Sequence, residues 1–346
     1  MHDNGAHDLL NATKKINYVT TVGFNTDFGG RGFEHPASLA IRDDGVIFVA
    51  SRGKRTSKQT IGIQRVSKNH EFFGKIGSYG LGELGQMVWP TCVTLDLDNN
   101  LFLADEFLNR ITIFDPDGEP VKYWGEKGSA PGQFDQPSGL LVRGETILVV
   151  DSKNSRIQEY NLDGSYISQW GEEGVGPGQF SLPWGICEDS HGYIYIADWR
   201  NDRIQKFTSK GEFVESFGES GSSEGQFNRP SDVAVDTEGN IIVTDWANQR
   251  LQILDREGKF LIEERGKGGL NPWAEEYFEA QQDEKEARAS FVPVFDTDVD
   301  DPSEISARIE PYFWDPVSVE LDSDDNIYIT ESNRHRFQVF EFCEGN

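Results

Sequence analysis

The residues of this 346-residue chain whose chemistry could be put to work are six histidines, eight tryptophans and a few well-placed arginines. His35 and His335 can carry protons near neutral pH, and Glu331 is a carboxylate that the chain organisation, set out below, brings towards them. Two histidines and a carboxylate could also hold a divalent metal, but no close ligand spacing supports such a site, so none is expected. Arg52, Arg55, Arg200 and Arg229 suit the gripping of an anion. Trp89, Trp184, Trp199 and Trp246 suit stacking on a planar group, although a tryptophan can equally plug a hydrophobic seam. Three motifs are discounted. Gly80-x-Gly82-x-x-Gly85 and Gly221-x-Ser223-x-Gly225 lack the strand–turn–helix setting of a dinucleotide loop or a nucleophile elbow. Asp296-Thr-Asp298-Val-Asp300 starts like a calcium loop, yet Asp301 and Ala307 stand where Gly and Glu are needed, so a solvated acidic loop is expected.

Composition bounds the partners. With 32 basic and 59 acidic residues the formal charge is −27, which makes nucleic acid a poor partner. No apolar run approaches the ~20 residues of a membrane span, and the first residues lack a basic and an apolar signal region. Cys92, Cys187 and Cys343 are too few and too scattered for a disulfide framework. A cytoplasmic, monomeric protein is expected.

What must position those residues is a repeat. Pro36, Pro90, Pro137, Pro183, Pro230 and Pro316 are spaced by 54, 47, 46, 47 and 86 residues. An apolar stretch, a polar turn and a β-rich run follow each proline. The run ends on Ser51, Asp105, Asp151, Asp198, Asp245 or Glu331. Turn pairs such as Asp117-Gly118, Asp163-Gly164 and Glu257-Gly258 suit tight hairpins. Four short strands per unit, six times over, predict an all-β, six-bladed β-propeller. The sixth copy lacks its fourth strand, and Tyr18-Val-Thr-Thr-Val22-Gly23 has the missing form, so the N-terminal strand is expected to complete the last blade. The expected organisation is a tail over 1–15 and one propeller over 16–346.

Asp198-Trp-Arg-Asn201-Asp-Arg203-Ile-Gln-Lys-Phe207 and Asp245-Trp-Ala-Asn248-Gln-Arg250-Leu-Gln resemble the NHL repeat, and the likeness runs from Tyr18 to Phe342. The resemblance implies the propeller fold but no single activity, since NHL proteins bind RNA, bind proteins, sense ligands or act as amidating lyases. The lyases hold zinc on three histidines near inner-strand starts. Only His35 occupies such a place here, against Trp89, Gln136, Leu182, Arg229 and Asp315, which argues against that activity. The recurrent Asp-x-x-Asn-x-Arg set is expected to tie loops together rather than to catalyse. It departs from the pattern where Asn109 stands beside Arg110, at Ser51 with Thr56 in the Arg place, and at Glu331 with Arg334 in the Asn place.

Strand parity puts the second-to-third loops and the inter-blade linkers on one face. Both long insertions fall there: Arg52 to Thr60, carrying Arg52, Lys54, Arg55 and Lys58, and a partly helical segment between blades five and six, about 266–311. Asn271 and Pro272 would open one helix reaching Ala289, with Trp273, Tyr277 and Phe278 on its apolar side. Function is expected on this face. The leading expectation is binding of a small anionic or aromatic ligand, with a lyase or hydrolase reaction as an extension. The alternative is a non-catalytic scaffold that docks a protein or peptide, and RNA binding ranks third.

Overall fold

The computed structural model describes residues 14–25, 30–54, 57–295 and 300–343. Arg55, Thr56 and residues 1–13 and 296–299, which include Asp296 and Asp298, lie outside them. The third unit shows the common plan. Pro137–Arg143 is innermost, followed by antiparallel Thr146–Asp151 and Arg156–Asn161, with Tyr166–Trp170 at the rim. The second strands are covered on both sides by neighbouring blades and read as unbroken apolar runs. An outer strand such as Pro120–Trp124 alternates exposed with half-buried residues. Inner strands beginning at each of the six prolines pack one against the next, and Pro316–Leu321 returns to Pro36–Ile41.

The ring is closed as the repeat count implies. Lys15–Val22 pairs antiparallel with Arg336–Cys343, from Lys15 opposite Cys343 to Val22 opposite Phe337. The propeller thus begins at Lys15, inside the expected tail. This pairing covers an open strand edge and makes blade six from both ends of the chain.

Between each pair of blades lies one apolar cluster, six in all among the described residues. The residue three before each inner-strand proline plugs the seam: Phe33, Met87, Phe134, Phe180, Phe227 and Phe313, all fully buried. Trp124, Trp170 and Trp273 join these clusters, whereas Trp89, Trp184, Trp199 and Trp246 do not and are not the seam plugs. The glycine that ends each outer strand follows from the same packing. Gly218 has φ +82°, and a Cβ on it would lie 2.3 Å from the Phe227 ring.

The insertion holds three helices, Pro272–Ala280, Gln282–Ser290 and Pro302–Arg308, where the sequence suggests one. Asn271 does cap the first, accepting from the Ala274 amide at 3.1 Å. Gln281, with φ −126° and ψ 68°, breaks the run, so no single helix reaches Ala289. Trp273 is buried and its indole N–H donates to the His70 carbonyl at 2.8 Å, while Tyr277 is exposed. Asp301 is more than a solvated acid. It caps the third helix through the Ser303 amide at 2.8 Å. Among the described residues no helix is long and apolar enough to cross a membrane.

The repeated polar residues form a buried network. Asp245 accepts from the Asn228 amide at 2.7 Å, Asn248 at 2.8 Å, Arg250 Nε at 2.8 Å and Gln252 at 3.2 Å. The far end of Arg250 donates to the Ser222, Ser223 and Gln226 carbonyls of the preceding linker. Blades three and four repeat these contacts around Asp151 and Asp198. The glutamine two residues after the arginine is a full member, which the motif alone does not show.

The departures acquire causes. In blade one Ser51 pairs with Gly62, so Gly62, not Thr56, stands in the arginine place, and Ser51 donates to Gln64 at 2.9 Å. In blade six Arg334 does the asparagine's work over a longer reach. Its guanidinium donates to the Ser306 carbonyl at 2.5 Å and the Ile309 carbonyl at 3.1 Å, tying down the insertion that replaces the linker.

Removing one partner of such a buried pair strands the other charge. Asp245→Ala is expected to lower the unfolding free energy by about 3–5 kcal/mol. Urea denaturation monitored by tryptophan fluorescence measures this, and a loss below about 1 kcal/mol would show that the network is dispensable.

Candidate functional site

Three of the sequence-selected tryptophans meet at the mouth of the central channel. Trp184 is the second residue of the inner strand of blade four, and Trp199 and Trp246 each follow the buried Asp of the second strand. With Arg52, Ala37, Thr91, Ser231, Val317 and Ser332 they enclose a cavity of about 170 Å³. The Trp199 and Trp246 rings lie 6.0 Å apart at 43°. The guanidinium of Arg52 is 6.0 Å from the Trp184 ring, and Arg229 and Arg200 lie 4.9 and 6.0 Å from the Trp199 ring. Each contact is in cation–π range and presents a donor-rich guanidinium at the rim. Trp89 stands apart, 38% exposed and edge-on to Phe107 at 6.2 Å.

Arg52 is held in place. Its Nε donates to the Pro90 carbonyl at 3.1 Å, and its Nη2 is 3.7 Å from the carboxylate of Glu106. Burial raises the Glu106 carboxyl, and Arg52 partly offsets this. Sequence reasoning did not single out Glu106, because only the ring places blade two's loop against blade one's.

The two histidines come together across the closing seam, with ring centres 4.9 Å apart. Glu331 does not join them. Its carboxylate is buried against Arg336 and Gln338, both at 2.7 Å, as the blade-six counterpart of the repeated Asp. The carboxylate beside the histidines is the fully buried Glu34, 3.4 Å from His35 Nε2, 3.7 Å from His335 Nδ1 and 3.1 Å from Lys54 Nζ. No sequence signal marked it, since apart from adjacent His35 its partners Lys54 and His335 lie 20 and 301 residues away.

The histidines have different chemistry. His335 occupies the place that Asn109, Asp202 and Gln249 take in blades two, four and five. There the side chain accepts from the backbone N–H before the next blade's proline, at 2.9, 2.7 and 2.7 Å. His335 Nδ1 accepts from the His35 N–H at 3.2 Å, which assigns the hydrogen to Nε2 and needs a neutral ring. Burial, with help from His35 and Lys54, pushes its pKa down to about 3. The 3.7 Å approach to Glu34 is therefore not an ion pair. His35 is also lowered, by burial and then by Lys54 and Arg52, and its imidazole is half-buried and neutral at pH 7.

Ligand atoms of Glu34, His35 and His335 lie within 4.8 Å of one another, a spacing compatible with a metal ion. The rest of the surroundings do not suit one. His335 Nδ1 is already used as an acceptor, and the Lys54 ammonium neutralises Glu34 where a dication would sit.

Comparison with known proteins agrees with this architecture. The NHL repeat model matches residues 180–207, 227–254 and 313–340, and a model described as a 6-bladed beta-propeller matches 93–174. No curated protein matches by sequence. A streptogramin B lyase structure is similar at 10% identity, over 95% of this chain and 98% of the other, with TM-score 0.55. Virginiamycin B lyase from Staphylococcus aureus is similar at 14% identity over 94% and 99%, with TM-score 0.53. A protein of unknown function from Bacteroides thetaiotaomicron gives 14% identity over 95% and 76%, with TM-score 0.61. Identities this low establish the fold alone.

The seam makes a pH prediction. A free histidine gains its proton near pH 6.5, whereas folded His335 does so only near 3. The unfolded chain binds the extra proton across that window, so stability present above about 6.5 is lost as pH falls towards 3. Between pH 7 and about 5.5 the loss is about 1.3 kcal/mol. His335→Gln, which borrows blade five's acceptor, is expected to remove this component in denaturant titrations at the two pH values. An unchanged pH dependence would contradict the assignment.

Two features of the geometry, a closed ring of six four-stranded blades and the Asp–Asn–Arg network in the loops of blades three to five, coincide with these matches. The chain is a six-bladed β-propeller whose fourth, fifth and sixth blades match the NHL repeat.

Proposed function

We propose that the propeller binds a small anionic ligand with a planar or aromatic body at the channel mouth. The observation that carries this reading is the cage of Trp184, Trp199 and Trp246 with Arg52 at its edge. Because phenylalanines and Met87 fill the seams, these indoles are not needed as plugs and remain partly accessible. Indole faces suit a flat apolar group, and Arg52 and Arg229 suit a carboxylate or phosphate. The cavity of about 170 Å³ limits the enclosed part to a small group.

A lyase or hydrolase step would draw its base from His35. Its ring is neutral, Glu34 lies 3.4 Å from Nε2, and the cationic Arg52 and Lys54 are close enough to lower its pKa. That set could accept a proton while stabilising a developing anion. His335, locked as an acceptor, would position His35 rather than exchange protons. The fold likeness to the two lyases is compatible with this extension and adds no residue-level support. A second reading, docking of a protein partner on the same face, is favoured by the exposed Trp89–Phe107 pair beside the mouth.

A thermal-shift screen of aromatic carboxylates and phosphates tests the first reading. A ligand present at about 100 times its Kd adds about 2.7 kcal/mol. At least one compound is expected to raise the melting temperature of the wild type, with the shift lost in Arg52→Gln and Trp246→Ala. No shift from any compound, or equal shifts in both variants, would reject it.

A further inference from the structure

Below the cage the channel narrows to a belt. It is made by the residue two after each inner-strand proline: Ser38, Cys92, Gly139, Gly185, Asp232 and Ser318. Glu320, two residues beyond Ser318 on the same strand, lines it as well. The space is about 20 Å³, enough for one particle the size of a water molecule.

The belt is shaped around one carboxylate. A Cβ on Gly185 would lie 2.0 Å from Asp232 Oδ1, so blade four must present glycine where blade five presents the acid. Asp232 accepts from the Val233 amide at 2.9 Å and the Val319 amide at 3.0 Å, which fixes it between blades five and six. Both Asp232 and Glu320 lie deep in the protein yet keep some solvent contact, as groups on a channel wall do.

Charge balance is the difficulty. Among the described residues no Lys or Arg lines the belt, and neither acid is in an ion pair. Buried carboxylates need a compensating positive charge or a proton. Burial accordingly pushes Asp232 up to about 7, and Glu320 is raised by burial and then by Asp232. An independent observation points the same way. Ser318, 4% exposed, lines the constriction, and its Oγ has no hydrogen-bond partner within the protein. The neighbouring thiols cannot act as soft ligands, since burial pushes Cys92 up to about 12 and also raises Cys187 well above the ordinary thiol range. Every available donor is therefore an oxygen, the preference of hard cations.

We propose that the belt binds one hard divalent cation on the channel axis, through the carboxylates of Asp232 and Glu320 and the hydroxyl of Ser318. Two carboxylates match two positive charges, and the site stands apart from the Glu34–His35–His335 cluster, where Lys54 already supplies the cation. It sits beneath the tryptophan cage and does not depend on what ligand the cage takes. A bound cation would clamp the inner strands of blades five and six, which are joined by the long insertion instead of a short linker.

The test uses the full chain stripped with a chelator and titrated separately with calcium, magnesium and manganese chlorides, with potassium chloride as the ionic-strength control. At least one divalent ion is expected to raise the melting temperature saturably, by roughly 3–6 °C at about 100 times its Kd. Manganese electron paramagnetic resonance should count one ion per chain. Asp232→Asn should abolish the shift, and Glu320→Gln should weaken binding roughly tenfold or more. Should Asp232→Asn not fold, Ser318→Ala takes its place and should weaken binding at an unchanged fold. No saturable shift with any of the three metals, or binding that survives in all folded variants, would overturn the proposal and leave the acid pair neutralised by protons.

Discussion

The buried carboxylate that closes the second strand of blades two to six is the constraint on which the top face depends. A lone carboxylate there would be too costly to bury, so it gathers a linker amide, an asparagine, an arginine and a glutamine around itself. The arginine then reaches the carbonyls of the linker entering the same blade. One ionic contact therefore orders two loops, and those loops hold Trp199, Trp246 and Arg200. The cage is as rigid as the pairs beneath it.

The network explains why irregularity collects at the seam. Blades three to five carry the full set, joined by short linkers of uniform form. In blade six the linker has grown into three helices, and the pattern bends to match. Glutamate replaces aspartate, and Arg334 replaces asparagine to reach helix-end carbonyls. In blade one the loop insertion displaces the register, so Gly62 meets Ser51 and no arginine is available. These changes surround the place where the first and last strands meet, and there Glu34, His35, Lys54 and His335 come together.

Electrostatics on this face runs against the net charge. The chain is strongly acidic overall, yet Arg52, Lys54, Arg200 and Arg229 lie around the mouth, while Asp232 and Glu320 lie below it. An axial gradient from a basic rim to an acidic floor would orient a ligand that carries charge. The −27 total describes solubility and says little about this local arrangement.

The sequence by itself determined the ring. Proline spacing, strand alternation and the terminal half-blade specify six blades and their closure, because each repeat must bury its faces on neighbours. It also placed Arg52, Trp184, Trp199 and Trp246 at one end, since strand parity is a counting argument. Position within that end was another matter. Trp89 carries the same residue type one position before its inner-strand proline, and it packs on Phe107 away from the cage. Glu331 reads as a partner for the histidines until Arg336 and Gln338 are seen to hold it. Glu34 and Glu106 had no motif, because what gives them meaning is burial beside residues from other blades. Periodicity records what each repeat does for the next. Side-chain meetings across a closed ring, between residues hundreds of positions apart, are decided only when the ring is closed.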